Sequence, residues 1–311
     1  MRTIRDYQYV LKQDRGASAA IGNFDGVHLG HRAVIEVAKS AAETLSAPVG
    51  VVTFEPHPRE YFAPAALPFR LMNTEARANR LEKLGIRRLY ELSFNAALSA
   101  LSPREFAQNV LADGLGLAHA VVGRDFRFGK DRAGGAGDLK RFGAEMGFGV
   151  TIADLLETGG IEVSSTRIRQ ALTEGRPGDA AAMLGHLHRI EGEVIRGDQR
   201  GREMGYPTTN MSIAGIHPPC FGVYAVRVSV LTGRFAGQYG GVASIGVRPT
   251  FGVNAPNLET FIFDFEGDLY GAHLSVALVE FLRPEERFDQ FEDLIIQMNA
   301  DSAAARAILG A

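Results

Sequence analysis

The sequence predicts an α/β domain built on a parallel sheet with helices on both faces, followed by a small antiparallel β-barrel with a C-terminal helix. Three observations carry this. A chain of 311 residues is long for one domain. Its first half alternates short apolar runs with helix-period segments, the pattern of a covered parallel sheet. Near residue 187 the character changes to β-rich runs separated by Gly, Pro and Asn. The expected domains are 1–186 and 187–311.

Ala17–Ile21, Val49–Phe54, Arg88–Leu92, Ala118–Val122 and Val150–Ala153 read as the strands of the first domain. Val34, Ile35, Ala38, Ala41, Ala42 and Leu45 share one helical face after the first of them. Ser102-Pro103-Arg104-Glu105 opens another helix, with a cap residue, Pro at the first position and Glu at the third. A last helix holds Ala180–Leu184. In the second domain, strands are expected at Ile190–Ile195, Val223–Val230, Phe235–Ile245, Glu259–Phe265 and His273–Phe281. A helix over Arg287–Ile296 follows, with Phe288, Phe291, Ile295 and Met298 on one face.

Composition narrows the function classes. A net charge of −3 does not point to a general nucleic-acid binder. The single cysteine, Cys220, excludes an intramolecular disulfide framework and a cysteine zinc site. The segment MRTIRDYQYV lacks an apolar signal core, and no apolar run reaches a membrane span. A cytoplasmic enzyme of small molecules is the expectation, with no nucleic-acid or membrane partner.

Residues 22–31, GNFDGVHLGH, carry the most chemistry. They leave a strand and enter a helix, where free backbone N–H groups and the helix dipole favour phosphate. Gly22, Gly26 and Gly30 allow close backbone approach, Asn23 can donate to a phosphate oxygen, and His28 and His31 add imidazole donors. Two surface histidines are the plain alternative. A zinc pair is weaker, since the spacing is not HExxH and no third ligand is evident. Ser164, Ser165 and Thr166 precede Arg167 and Arg169, either an anion site or an ordinary helix cap. Gly123–Lys130 mimics a Walker A loop but has five residues between its glycines, and Asp131 replaces the required Ser or Thr. Phe54-Glu-Pro-His-Pro58, with Phe62 nearby, is a rigid turn against which an aromatic ligand could pack.

In the second domain, Gly197–Asn210 is a glycine-rich loop ending in a rigid Pro-Thr-Thr-Asn turn. Gly197, Gly201 and Gly205 suit phosphate contact, the Thr208 hydroxyl suits Mg²⁺, and Asn210 can add a carbonyl oxygen. A solvated hairpin loop is the alternative. Glu259 alternates onto one strand face with Phe261, Phe263 and Phe265, so its carboxylate stands at a solvent edge or a site mouth.

GNFDGVHLGH, FEPHP, VVGRDFRFG and SSTRIR together resemble the N-terminal module of bacterial bifunctional riboflavin kinase/FMN adenylyltransferases, or FAD synthetases. The first and last resemble the HxGH–ISSTxxR nucleotidylyltransferase superfamily. GRxxGYPTTN, GVY (Gly222–Tyr224), RPTF (Arg248–Phe251), ETFIFDF and DLYG resemble riboflavin kinase, and the likeness spans essentially the whole chain. It implies a Rossmann-like nucleotidylyltransferase domain, then a riboflavin-kinase barrel, with ATP as co-substrate, Mg²⁺ as cofactor, and riboflavin, FMN and FAD as substrates and products.

By that resemblance, His28 and His31 contact the ATP phosphates. Gly22, Asn23, Phe24, Asp25, Gly26 and Gly30, with Ser164, Ser165, Thr166 and Arg167, complete the cradle. Phe54, Pro56, His57, Pro58, Phe62, Asp125 and Phe128 frame the flavin, Asp125 at a position where similar chains also carry Asn. In the kinase, Glu259 is the base. Gly197, Gly201, Arg202, Gly205, Pro207, Thr208 and Asn210 hold Mg–ATP, and Arg283, in Phe281-Leu-Arg-Pro284, contacts flavin. Ser244 replaces a more usual Asn without touching these assignments. Two other readings stand beside this one: a nucleotidylyltransferase for another phosphorylated substrate with an accessory barrel, and a flavin carrier or regulator with an inactive site.

Overall fold

The computed structural model describes residues 1–154, 157–158, 161–196, 206–247 and 256–310. The chain forms two compact units, 1–66 with 77–163, and 67–76 with 164–311.

The first unit holds strands β1 (Arg2–Ile4), β2 (Ser18–Ile21), β3 (Val49–Glu55), β4 (Arg88–Ser93) and β5 (His119–Gly123). A two-residue ladder, β6 (Arg127–Phe128) with β7 (Gly134–Gly135), precedes β8 (Gly149–Ala153) and the short antiparallel pair β9 (Glu157–Thr158) and β10 (Ile161–Glu162). Helix α1 (Leu29–Leu45) follows β2. Then come α2 (Pro58–Phe62), α3 (Thr74–Lys83), α4 (Ala96–Ser99), α5 (Pro103–Glu105), a π-helical stretch over Phe106–Ala112, and α6 (Ala136–Met146). The main sheet runs β1-β4-β3-β2-β5-β8, with every pairing parallel. Its direction of winding reverses between β2 and β5, the position at which open α/β sheets bind ligands beyond their carboxyl ends. The turns after β2 and β5 both leave the sheet there.

The sheet is central because its strands are small and apolar. Ala19, Ala20, Val51 and Val52 are fully buried. Ser18, the polar residue among them, is satisfied by donating its hydroxyl to the Ala38 carbonyl at 2.9 Å. The predicted cap at Ser102 is present, its hydroxyl accepting from the Glu105 amide while the Glu105 carboxylate accepts from the Ser102 amide. Strand β1 lies outside the sequence-based expectation: three residues carry no periodicity, and their pairing partner, β4, is about 86 residues away (Arg2↔Arg88).

The second unit adds α7 (Ser165–Thr173) and α8 (Pro177–Leu184), which close over Leu71 through Ile168, Leu172 and Leu184. A six-stranded antiparallel sheet follows, formed by β11 (Arg189–Glu193), β12 (Thr208–Ser212), β13 (Gly222–Val230), β14 (Gly237–Val247), β15 (Pro256–Ile262) and β16 (His273–Pro284). The order is β11-β16-β13-β14-β15-β12. A single bridge, Ile195↔Asn210, brings the two ends together into a nearly closed barrel. Ile190, Met211, Val226, Ile245, Leu258 and Val276 are among the residues that fill it. Helix α9 (Phe291–Leu309) covers the outside, where Ala305 meets Ala225 and Phe263.

Three expectations need correction here. Thr208–Asn210 is strand rather than turn, because β15 supplies a ladder along Thr208–Ser212. The last helix starts at Phe291, not Arg287, and continues to Leu309; Gln290 is its cap residue, and Glu292 and Asp293 place negative charge in its first turn. Its buried residues are Asp301 and Ala305, while Phe291 is half exposed. Phe265 does not share the face of Glu259. The strand ends at Ile262, and a turn with Asp264 at φ 53° sends Phe265 against Phe235 and Tyr239 instead.

Candidate active sites

The turn after β2 is strained and locked. Phe24 and Val27 hold φ values of 52° and 43°, a region costly for residues with a Cβ. Both side chains are buried to within 1 % of full exclusion, which holds them there. Gly26, at φ 84°, takes the position where glycine costs least.

The turn ends at His28, which caps α1 with its own ring: Nδ1 accepts the backbone N–H of His31 at 3.3 Å. The His28 and His31 rings stack at 3.7 Å between centroids, 17° from parallel. A Cβ on Gly30 would stand 3.2 Å from the His28 ring, so glycine leaves room for that ring to fold over the helix start. His31 Nδ1 is buried without a hydrogen-bond partner. Burial, and then the neighbouring His28, hold the His31 pKa well below the ordinary value of 6.5. His31 is therefore neutral near pH 7, and the pair sits at a helix N-terminus as hydrogen-bonding rings rather than as two cations.

Beyond β3 and β5 lies a chain of aromatic rings. Phe62, exposed on α2, stands 5.7 Å from Phe94, which stands 6.0 Å from Phe54. Phe54 continues to Phe106 at 6.3 Å, Phe106 to Phe128 at 5.6 Å, and Phe128 stacks on Phe126 at 5.5 Å. The sequence-read Phe54, Phe62 and Phe128 thus join through Phe94 and Phe106. Pro56 is exposed, whereas His57 caps α2 by accepting the Arg59 amide at 3.0 Å with Pro58 as its first residue. Asp125 is exposed on the turn after β5. Ser164, in the second unit, caps α7 by accepting the Arg167 amide, and Ser165 and Thr166 fill its first turn.

The second unit holds a cleft of about 260 Å³. Thr208 and Glu259 both line it, with Ser244, Phe261, Arg283 and Asp301. Asn210 pairs with Glu259 across the ladder but is only 5 % exposed, its carbonyl oxygen accepting from Asn257 Nδ2 at 2.9 Å. Arg283 lies against Asp301 of α9 through Nη2 at 2.8 Å and Nε at 3.0 Å, and that carboxylate raises its pKa. Tyr206 packs on Phe261 at 4.6 Å. Gly197, Gly201, Arg202, Gly205 and Arg248–Phe251 lie outside the described residues; Pro207 is exposed beside Thr208. Asp301, Asn257 and Tyr206 escaped sequence reasoning. Asp301 and Tyr206 are distinguished by their place in the assembled cleft, and Asn257 by its bond to Asn210.

A family model for FAD synthetase matches residues 10–167, and one for riboflavin kinase matches residues 184–309. The bifunctional riboflavin kinase/FMN adenylyltransferase of Pseudomonas fluorescens is 42% identical over 310 residues, covering 99% of this chain and 98% of that protein.

The chain belongs to that bifunctional family.

The Escherichia coli K12 member is 37% identical over 295 residues, 95% of this chain and 93% of its own. A crystal structure described as a macrolide-efflux protein from Streptococcus pneumoniae shares the fold at a TM-score of 0.84, with 30% identity and 98% coverage of both chains. No described helix here is long and apolar enough to cross a membrane. The family places FAD synthesis in the N-terminal part and riboflavin phosphorylation in the C-terminal part. ATP and the flavins are the substrates, and the chain is an enzyme of flavin-cofactor synthesis.

Proposed function

We propose that adenylyl transfer is carried by the turn 22–31 together with Ser164–Arg167, and phosphoryl transfer by Glu259 in the barrel cleft, within domains 1–186 and 187–311. In the first reaction an FMN phosphate oxygen attacks the α-phosphorus of ATP, and pyrophosphate leaves. That nucleophile is already ionised near neutral pH, so positioning and charge stabilisation suffice. His28 and the neutral ring of His31 donate to phosphate oxygens as charge grows on the leaving group, and Asn23 adds a donor. Gly22, Phe24, Asp25, Gly26 and Gly30 shape the turn around them. Phe54, Pro56, His57, Pro58, Phe62, Asp125 and Phe128 form the flavin side.

In the second reaction the riboflavin 5′-hydroxyl must lose a proton as it attacks the γ-phosphorus. Glu259 accepts that proton. The observation that carries this is that Glu259 and Thr208 line the same cleft. Thr208 and Asn210 offer hard oxygen donors, which suit Mg²⁺. When bound, Mg²⁺ would neutralise ATP phosphate charge. Gly197, Gly201, Arg202, Gly205 and Pro207 enclose the ATP, and Arg283 borders the flavin. We further infer a cytoplasmic enzyme with no nucleic-acid or membrane partner.

The test is Glu259→Ala in the full chain. Riboflavin phosphorylation is expected to fall about 10²–10⁴-fold, the range for a positioned base. FMN adenylylation, measured in the same preparation, is expected to hold. Unchanged phosphorylation would remove Glu259 from its role.

A further inference from the structure

Beneath the adenylyl-transfer turn lies a buried charge cluster that the mechanism above does not use. Arg77 of α3 is 3 % exposed. Its Nη2 donates to Glu55 Oε2 at 3.0 Å and to Glu91 Oε2 at 3.1 Å. Its Nη1 reaches the backbone carbonyl oxygen of Asn23 at 3.5 Å, and the Thr53 hydroxyl donates to that same oxygen at 3.1 Å. Glu91 is 4 % exposed and also accepts from Arg5 Nε at 3.3 Å.

The topology explains the meeting point. Thr53 and Glu55 alternate onto one face of β3, opposite the core residues Val52 and Phe54. Thr53 pairs with Glu91 on β4, so Glu91 shares that face. Asn23 follows β2, the next strand over. One guanidinium therefore touches the first residues of two turns: the one that begins at Gly22 and the one that begins at Glu55-Pro56.

Buried ion clusters are a poor way to gain stability, because apolar residues of similar volume pack there at no desolvation cost. A planar five-donor fork does what apolar packing cannot: it fixes the mutual orientation of several acceptors. We propose that Arg77 is a positioning residue for adenylyl transfer, holding the nucleotide turn and the flavin turn in fixed register. This rests on the reading of residues 22–31 and 54–58 as those two sides of the site.

The chain supplies its own control, because riboflavin phosphorylation reports on folding in the same molecule. Full-length Arg77→Met, Arg77→Lys and the double variant Arg77→Met/Glu91→Leu are compared for both activities and for Tm, with His28→Ala alongside. Arg77→Met is expected to lower kcat/KM for FMN adenylylation about 100-fold, the scale of a one-ångström misplacement, while phosphorylation stays within about twofold. Arg77→Lys keeps the charge but not the fork, and is expected to recover part of the loss. The double variant also removes the Glu91 carboxylate, which Arg77→Met leaves with Arg5 as its remaining ion-pair partner. It is expected to restore Tm without restoring adenylylation. Two results overturn the proposal: adenylylation within about threefold of the parent in Arg77→Met, or a double variant that recovers Tm and adenylylation together. The His28→Ala arm separates the two levels. If it leaves adenylylation intact, the reading of the turn fails. If it lowers adenylylation while Arg77→Met does not, only the positioning role falls.

Discussion

The proposed adenylyl-transfer turn occupies ten consecutive residues, Gly22–His31, whereas the proposed kinase cleft gathers Thr208, Ser244, Glu259, Arg283 and Asp301 from β12, β14, β15, β16 and α9. The difference follows from what each reaction asks of the protein. FMN brings an ionised phosphate, so its site needs only donors aimed at oxygens. In the proposed site a strained turn, a helix end and two stacked rings provide them within one local motif. Riboflavin brings a hydroxyl, so its site needs a carboxylate facing a pocket beside phosphate-binding groups. That arrangement calls for several walls and therefore for long-range assembly.

The sharpest way to break this contrast is His28→Ala. The ring is both a proposed phosphate donor and the cap of α1, so FMN adenylylation is expected to fall about 10²–10³-fold, the range for losing one such donor. Riboflavin phosphorylation should be retained. Equal loss of both activities would mean that the histidine serves the fold and not one reaction.

A smaller effect is expected on the other side from Asp301→Asn. Arg283 loses its charged partner at the cleft wall and is left poorly compensated, a class of change costing about 3–5 kcal/mol when fully buried and less here, since Arg283 retains some exposure. The KM for riboflavin is expected to rise about tenfold, with FMN adenylylation unaltered. An unchanged KM would show that the Arg283–Asp301 pair fastens α9 to the barrel without shaping the flavin end of the cleft.

The mildest test uses acid. His188 is buried, its Nε2 has no partner, and burial together with His186 and His217 lowers its pKa to about 3. A depressed folded pKa means that the neutral ring is favoured by folding. The stabilisation is present above about pH 6.5 and is lost as pH falls toward the folded value. His31 has the same sign. His188→Asn is expected to flatten the fall of Tm between pH 6.5 and 4, and His31→Asn to do so as well. An unaltered slope in both variants would place the acid sensitivity elsewhere.

The same contrast explains what the sequence disclosed. The histidine turn was readable because its glycines and rings lie within ten residues at a helix start, while the capping role of His28 appears only in the fold. The strand–helix alternation was readable for the same reason. Thr208–Ser212 was not, since Pro207 and Asn210 favour turns locally and only pairing with β15 makes the segment a strand. Arg77, Glu91 and Asp301 read as ordinary surface charges until the fold brings each to a partner, Arg77 to one 14 residues away and Asp301 to one 18 away. Phe94 looks like any strand-end aromatic until Phe54 and Phe62 arrive on either side of it.

The segment 67–76 belongs to the second compact unit although it lies between pieces of the first, and Arg70 pairs with Ile216. During synthesis the first unit can close once residue 163 has left the ribosome, while Arg70 waits for a partner 146 residues downstream (216 − 70). At about 5–20 residues per second that interval is roughly 7–30 s. For much of it Leu71, buried in the finished chain, lacks Ile168, Leu172 and Leu184, which emerge 97–113 residues after it. The nascent protein therefore passes through a window in which a sticky strip is exposed, and chaperone demand and aggregation should concentrate there.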